Sequence, residues 1–197
     1  MGRYIGPKDK LSRREGMDLF GKGAKLRKLA VKPGGTPRRN SKVSEYGVQL
    51  RAKQKAKRLY GLMERQFGNY VRKAGRTKGR VGDALVSLLE RRLDNVVYRA
   101  GWAKTRPAAR QLVTHKHVLV NGLILNVPSH ILKINDIVEL KPSIRDNPAI
   151  EEAAQTEREP VNWINKENFK AKVSKEPDIS DLTDPISIAD IIEFYSR

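Results

Sequence analysis

The positive charge of this chain is crowded into its first 80 residues, which hold 24 Lys and Arg against 5 Asp and Glu. A segment charged to that degree, about +19 net, strongly repels itself unless a polyanion is nearby. Residues 81 to 145 carry 10 basic and 5 acidic side chains, and residues 146 to 197 carry 6 and 12. The chain thus runs from a strongly basic beginning to an acidic end, and its net charge of +18 points to a polyanion. Nucleic acid is the partner this implies. A membrane surface is the alternative, but there is no run of about 18 apolar residues and no basic helix backed by a broad Trp and Phe face.

With 197 residues there is room for one large or two small domains, and with 39% apolar residues against 31% charged the core is modest. The absence of cysteine excludes disulfides, thiolate nucleophiles and Cys-based zinc or iron–sulfur sites. Residues 1 to 10 lack the apolar stretch of a secretory signal, so the chain is expected to stay in the cytoplasm. Gly21-Lys22-Gly23 and Gly34-Gly35 lack the spacing and the Lys-Ser/Thr of a nucleotide-binding loop and read as hinges. His115 and His117 flank Lys116, yet no third metal ligand accompanies them, so neither metal nor cofactor is expected. Glu151 and Glu152 lie in a polar stretch expected to be exposed, which does not support general acid–base work. The chain carries no catalytic arrangement and is not expected to be an enzyme.

Residues 1 to 43 form a basic arm with short helical pieces, broken by Pro33, Gly34, Gly35 and Pro37 and given apolar footing only by Met17 to Phe20 and Leu26 to Val31. From Ser44, an N-cap, to Phe67 the spacing predicts a helix with Ala52, Ala56, Leu59, Tyr60, Met63 and Phe67 on its inner face. Arg51, Lys55 and Arg58 fall on the opposite side, and Lys53 belongs to the same uncompensated basic run. A second helix is predicted from Val81 to Ala100, closed by Gly101, and a third after Thr105, from which Arg106 and Arg110 project together. Val118 to Val120 and Leu123 to Val127 read as strands around an Asn121-Gly122 hairpin turn, and Ile131 to Leu140 as a second strand pair turning at Asn135-Asp136. Val161 to Ile164 and Ala171 to Val173 are further strand candidates. Ile186 to Tyr195 is apolar enough to dock, with Phe194 and Tyr195 expected to return onto the N-terminal helices.

The fold class that follows is α+β, a basic and mostly helical N-terminal domain beside a small helix pair with an antiparallel sheet. The expected partition is an arm over 1–43, a helical domain over 44–90 completed by 186–197, the helix-pair domain over 91–155, and a strand-containing acidic segment over 156–185.

Leu89-Glu90-Arg91-Arg92-Leu93-Asp94-Asn95-Val96-Val97-Tyr98-Arg99-Ala100-Gly101, followed by Thr105-Arg106, Ala109-Arg110-Gln111, His115 and Val120-Asn121-Gly122, resembles the small RNA-binding fold named after ribosomal protein S-four. Enzymes and heat-shock proteins share that fold, so this stretch implies RNA and not the ribosome. The flanks narrow it. Arg3-Tyr4, Gly6-Pro7, Arg13-Arg14-Glu15-Gly16, Ser44-Glu45-Tyr46-Gly47, Tyr60-Gly61, Pro160 with Trp163, and the ending Glu193-Phe194-Tyr195-Ser196-Arg197 are similar to the bacterial-type S-four family of small-subunit proteins. Where many members carry a Cys-x-x-Cys zinc pair in the arm, this chain has Asp9 and Ser12, so it resembles the zinc-free form.

The resemblance implies a structural constituent of the small ribosomal subunit in the cytoplasm. Such a protein binds small-subunit rRNA early, nucleates assembly of the subunit body, touches neighbouring ribosomal proteins and messenger RNA where it enters, and influences translational accuracy. The residues expected to meet RNA are Arg3, Arg13, Arg14, Lys22, Arg51, Lys53, Lys55, Arg58, Arg91, Arg92, Arg99, Arg106, Arg110, Gln111, His115 and Lys116, by phosphate or sugar contact. A free-standing RNA chaperone and an RNA-modifying enzyme are the rival readings, the second lacking a recognisable catalytic Asp motif.

Overall fold

The structure, a computed structural model, describes residues 2, 4–23, 26, 29, 31, 33, 34, 44–154 and 161–196. The chain divides into two units, one of Met1–Arg72 with Pro185–Arg197 and one of Lys73–Asp184.

The first unit is helical. Helix α1 (Lys8–Glu15) ends at Gly16, whose φ of 67° is the left-handed conformation that glycine adopts without a Cβ clash. Its one buried residue, Ser12, turns its hydroxyl oxygen to accept from the Leu19 N–H at 3.3 Å. Helix α2 (Glu45–Leu59) begins as expected, Ser44 accepting from the Gly47 N–H. The single helix anticipated to Phe67 is instead two. Leu62 N–H reaches the Lys57 carbonyl at 2.9 Å while Gly61 sits at φ 63°, a left-handed C-terminal closure, and α3 (Glu64–Ala74) starts afresh. Met63 is therefore exposed, whereas Phe67 returns to the core from α3. Helix α8 (Ile188–Ser196) packs on α2, burying Ile188 and Ile191. The Phe194 ring stands 5.6 Å from Tyr46, and Tyr195 stands 6.3 Å from the fully buried Phe67.

The second unit is α+β. Helix α4 (Val81–Glu90), buried along most of its length, leads to α5 (Leu93–Arg99), and α6 (Arg106–Thr114) is capped by the Thr105 hydroxyl. The continuous helix expected from Val81 to Ala100 is broken at Arg91-Arg92. There Arg92 forms a β-bridge to Ile131, the Leu93 N–H donates to the His130 carbonyl and the Leu132 N–H to the Arg91 carbonyl. A tertiary pairing outcompetes the local helical bonds.

Five strands, β1 (Val118–Val120), β2 (Leu123–Ile124), β3 (Ile137–Leu140), β4 (Ile164–Glu167) and β5 (Lys170–Val173), make one antiparallel sheet in the order β2-β1-β3-β5-β4. Asn121 and Gly122 both take positive φ and join β1 to β2 as read from the sequence. Ile131 to Leu140 is not a hairpin, because Ile131 is committed to Arg92 and β3 pairs with β1 and β5. The anticipated strand Val161 to Ile164 begins only at Ile164 and extends to Glu167. Helix α7 (Pro148–Ala154) supplies Ile150 to the core, which also contains Leu93, Val97, Trp102, Val113, Val138, Leu140 and Trp163, all at most 3% exposed. Burying each aliphatic side chain of this kind contributes about 1.5–3 kcal/mol against the entropy of ordering the chain.

Candidate nucleic-acid interface

In the arm, Arg14 and Lys22 are exposed, Lys22 pairing with Asp9 at 2.5 Å, while Arg13 donates from Nε to the Val31 carbonyl at 2.8 Å. Asp9 and Ser12, the two positions set against cysteines in the resemblance, are thus engaged by Lys22 and Leu19. Arg3, Gly35, Pro37, Pro160 and Arg197 lie outside the described residues.

On α2 the expected basic face is partly used inside the protein. Arg51, at 3.4 Å, and Arg58 both reach the Glu15 carboxylate on α1, whose side chain is only 2% exposed. Burial pulls the Arg58 guanidinium below its ordinary value and Glu15 counters it; the group remains charged. Lys55 is half-buried. Lys53, 6% exposed, has its ammonium 2.6 Å from Glu64 and 4.3 Å from the centre of the Phe194 ring, so its charge serves the junction of α2 and α8. Burial works against ionisation of Glu64, but hydrogen bonds from Lys53 and Lys57 outweigh it and bring the carboxyl down to about 2. Burial, with that neighbouring carboxylate, pushes the Tyr195 phenol upward as it donates to Glu64 at 3.2 Å.

The arginines of the helix pair form an internal network. Arg92, wholly buried, grips Asp94 with two bonds of 3.0 and 2.7 Å, and Arg110 joins the same carboxylate at 3.0 Å. Arg99 forks onto Glu90 at 2.8 and 2.9 Å and reaches Thr183 Oγ1 at 2.6 Å and Asp184 at 2.7 Å. Arg106, stacked 4.5 Å over the Tyr98 ring, donates to Asn95 at 2.9 Å and to Asp184 at 2.5 Å. Arg91 pairs with Glu176 at 3.0 Å. The side chains of Arg99 and Arg106 are each 9% exposed. Bidentate pairing at this burial satisfies most of the guanidinium donors and fixes how α5, α6 and the segment before α8 meet.

Gln111, His115 and Lys116 are by contrast exposed at the C-terminal end of α6, with Lys116 at φ 63°. A second exposed group was not among the residues singled out from the sequence. Lys73, Arg76, Lys78 and Arg80 stand at the end of α3 and on the turn after it, all exposed and none in an ion pair with a described residue. Its signal was present as a run of basic residues without an acid from Arg72 to Arg80. Cations without an ion-pair partner among the described residues are available to an anion without first breaking such a bond.

Among the described residues no helix is long and apolar enough to cross a membrane, and no cluster of three or more metal-ligating side chains forms.

Residues 3–90 match the family model described as the ribosomal protein S4/S9 N-terminal domain, and residues 91–138 match the S4 domain. The chain is 44% identical to the small ribosomal subunit protein uS4 of Petrotoga mobilis over 211 aligned residues, covering all of both chains. It is 46% identical to that of Thermotoga petrophila and 45% to that of Thermotoga maritima, again over the full length of each. Matches of that extent leave no part of the chain for an unrelated catalytic domain, and the chain belongs to the non-enzymatic uS4 family of small ribosomal subunit proteins.

Proposed function

We propose that this chain is a structural constituent of the small subunit of the cytoplasmic ribosome. In this reading it grips a folded junction of small-subunit rRNA by its phosphates and nucleates assembly of the subunit body. The observation that carries the reading is the sorting of its cations. Arg92, Arg99, Arg106 and Arg110 are neutralised within the protein, whereas Lys73, Arg76, Lys78, Arg80 and Lys116 are exposed, Lys116 beside the exposed polar side chains of Gln111 and His115. The paired arginines set the shape of the surface and the exposed groups meet the RNA, as recognition of helical RNA by shape and backbone requires. The arm over 1–43 adds most of the long-range attraction, with contributions from Arg13, Arg14 and Lys22.

Neighbouring ribosomal proteins and messenger RNA where it enters the subunit complete the partners, and through them the chain influences translational accuracy. The acidic segment over 156–185 suits a protein neighbour better than RNA. Purifying intact small subunits in high salt tests the assignment. One copy of this chain per particle is expected, and sub-stoichiometric recovery with fast exchange overturns it in favour of a free-standing chaperone.

A further inference from the structure

A cavity of about 400 Å³ lies in the second unit between α6, α7 and the turn after Gly101. Its floor is apolar, made by Trp102, Ala103, Leu112, Ile144 and Ile150. Its lining also includes the amide of Gln111, the imidazoles of His115 and His117, and Lys104, which is ion-paired with Glu152. The two imidazole rings are 6.1 Å apart and inclined by 53°. Gln111 and His115 are exposed, and with Lys116 they form the cluster proposed above to meet RNA.

This combination selects its occupant. A phosphate finds no buried cation in the apolar floor, and a paired base in a duplex is stacked and does not enter. An unstacked nucleobase has two π faces for the apolar floor and the imidazoles and a polar edge for an amide, while its own phosphate stays outside near Lys116. The volume lies within the range of small-ligand pockets. We infer that this cavity receives a single extruded nucleobase of the bound RNA, read along its edge by Gln111. The inference rests on the RNA-binding reading above.

The test uses the full chain and two labelled hexamers of equal charge, oligo-adenylate and a ribose–phosphate oligomer carrying a stable abasic analogue, with affinity read by fluorescence anisotropy. The base-bearing hexamer is expected to bind about tenfold more tightly, the lower part of the range for one base stacked on a protein surface. Ala149→Trp fills the cavity from an exposed position on α7 and should bring the two affinities within about twofold without changing that of the abasic oligomer. Gln111→Leu keeps the bulk, removes the amide and should lower the preference about threefold. A 2-aminopurine in the hexamer should change its emission with the wild-type chain and not with Ala149→Trp. Equal affinities for the two hexamers, or a preference that survives both substitutions, overturns the inference and leaves phosphate binding standing. Failure of both hexamers to bind overturns the inference, whereas the RNA-binding reading itself falls only if the full chain also fails to bind a folded small-subunit rRNA fragment.

Discussion

Asp94 is shared by a wholly buried arginine and a mostly buried one, so loss of its carboxylate weakens the pairing of two guanidiniums at once. Asp94→Ala removes this carboxylate from the buried Arg92 guanidinium and should cost about 3–5 kcal/mol, read as a shift in the urea midpoint. Lys116→Ala, at an exposed position, should leave that midpoint unchanged and weaken RNA binding instead. Glu64 makes a pH prediction with a definite sign. Its folded value, about 2, lies below the ordinary 4.5, so the stability it contributes is complete above about pH 4.5 and is lost as the pH falls toward 2. Half-exposure screens the effect, so its size is left to measurement. The difference in stability between wild type and Glu64→Gln should therefore shrink between pH 5 and pH 2.5, and a constant difference would count against the Lys53–Glu64–Lys57 cluster as its source.

Elements show where backbone chemistry decides the fold. Gly61→Ala forces a Cβ into a left-handed position and should cost about 1 kcal/mol, whereas the same change in a helix interior stabilises; thermal unfolding distinguishes the two. That glycine also marks the limit of reading the chain from its residues. Ser44 and Thr105 were legible as caps and Asn121-Gly122 as a hairpin, because each acts on neighbours within three positions. The break at Gly61 was hidden because Met63 and Phe67 continue the helical spacing across it. The break at Arg91-Arg92 depends on Ile131, some forty residues away. The burial of Lys53 depends on Phe194 and Tyr195, and the interior of the arginine network depends on Thr183 and Asp184. Residue type told which side chains seek an anion; it did not tell which anions were within the chain.

At the scale of the whole molecule the charges divide into those spent on structure and those left for a partner. Replacing Arg76, Lys78 and Arg80 together by Gln should flatten the dependence of log affinity on log salt by roughly 3, about one for each phosphate deprived of its cation. Removing residues 1–43 should flatten it more, and Arg106→Gln hardly at all, with its effect appearing in stability. Titration of RNA binding at several salt concentrations separates the three, and a large change in slope for Arg106→Gln would contradict the pairing with Asp184. The internal pairing of Arg92, Arg99, Arg106 and Arg110 also sets an order of events. Since their counter-charges come from the same unit, Lys73–Asp184 does not wait for a polyanion before it closes. The proposed RNA partner would then meet a finished surface in this unit, and the time taken to form that complex is expected to belong to the search and folding of the RNA.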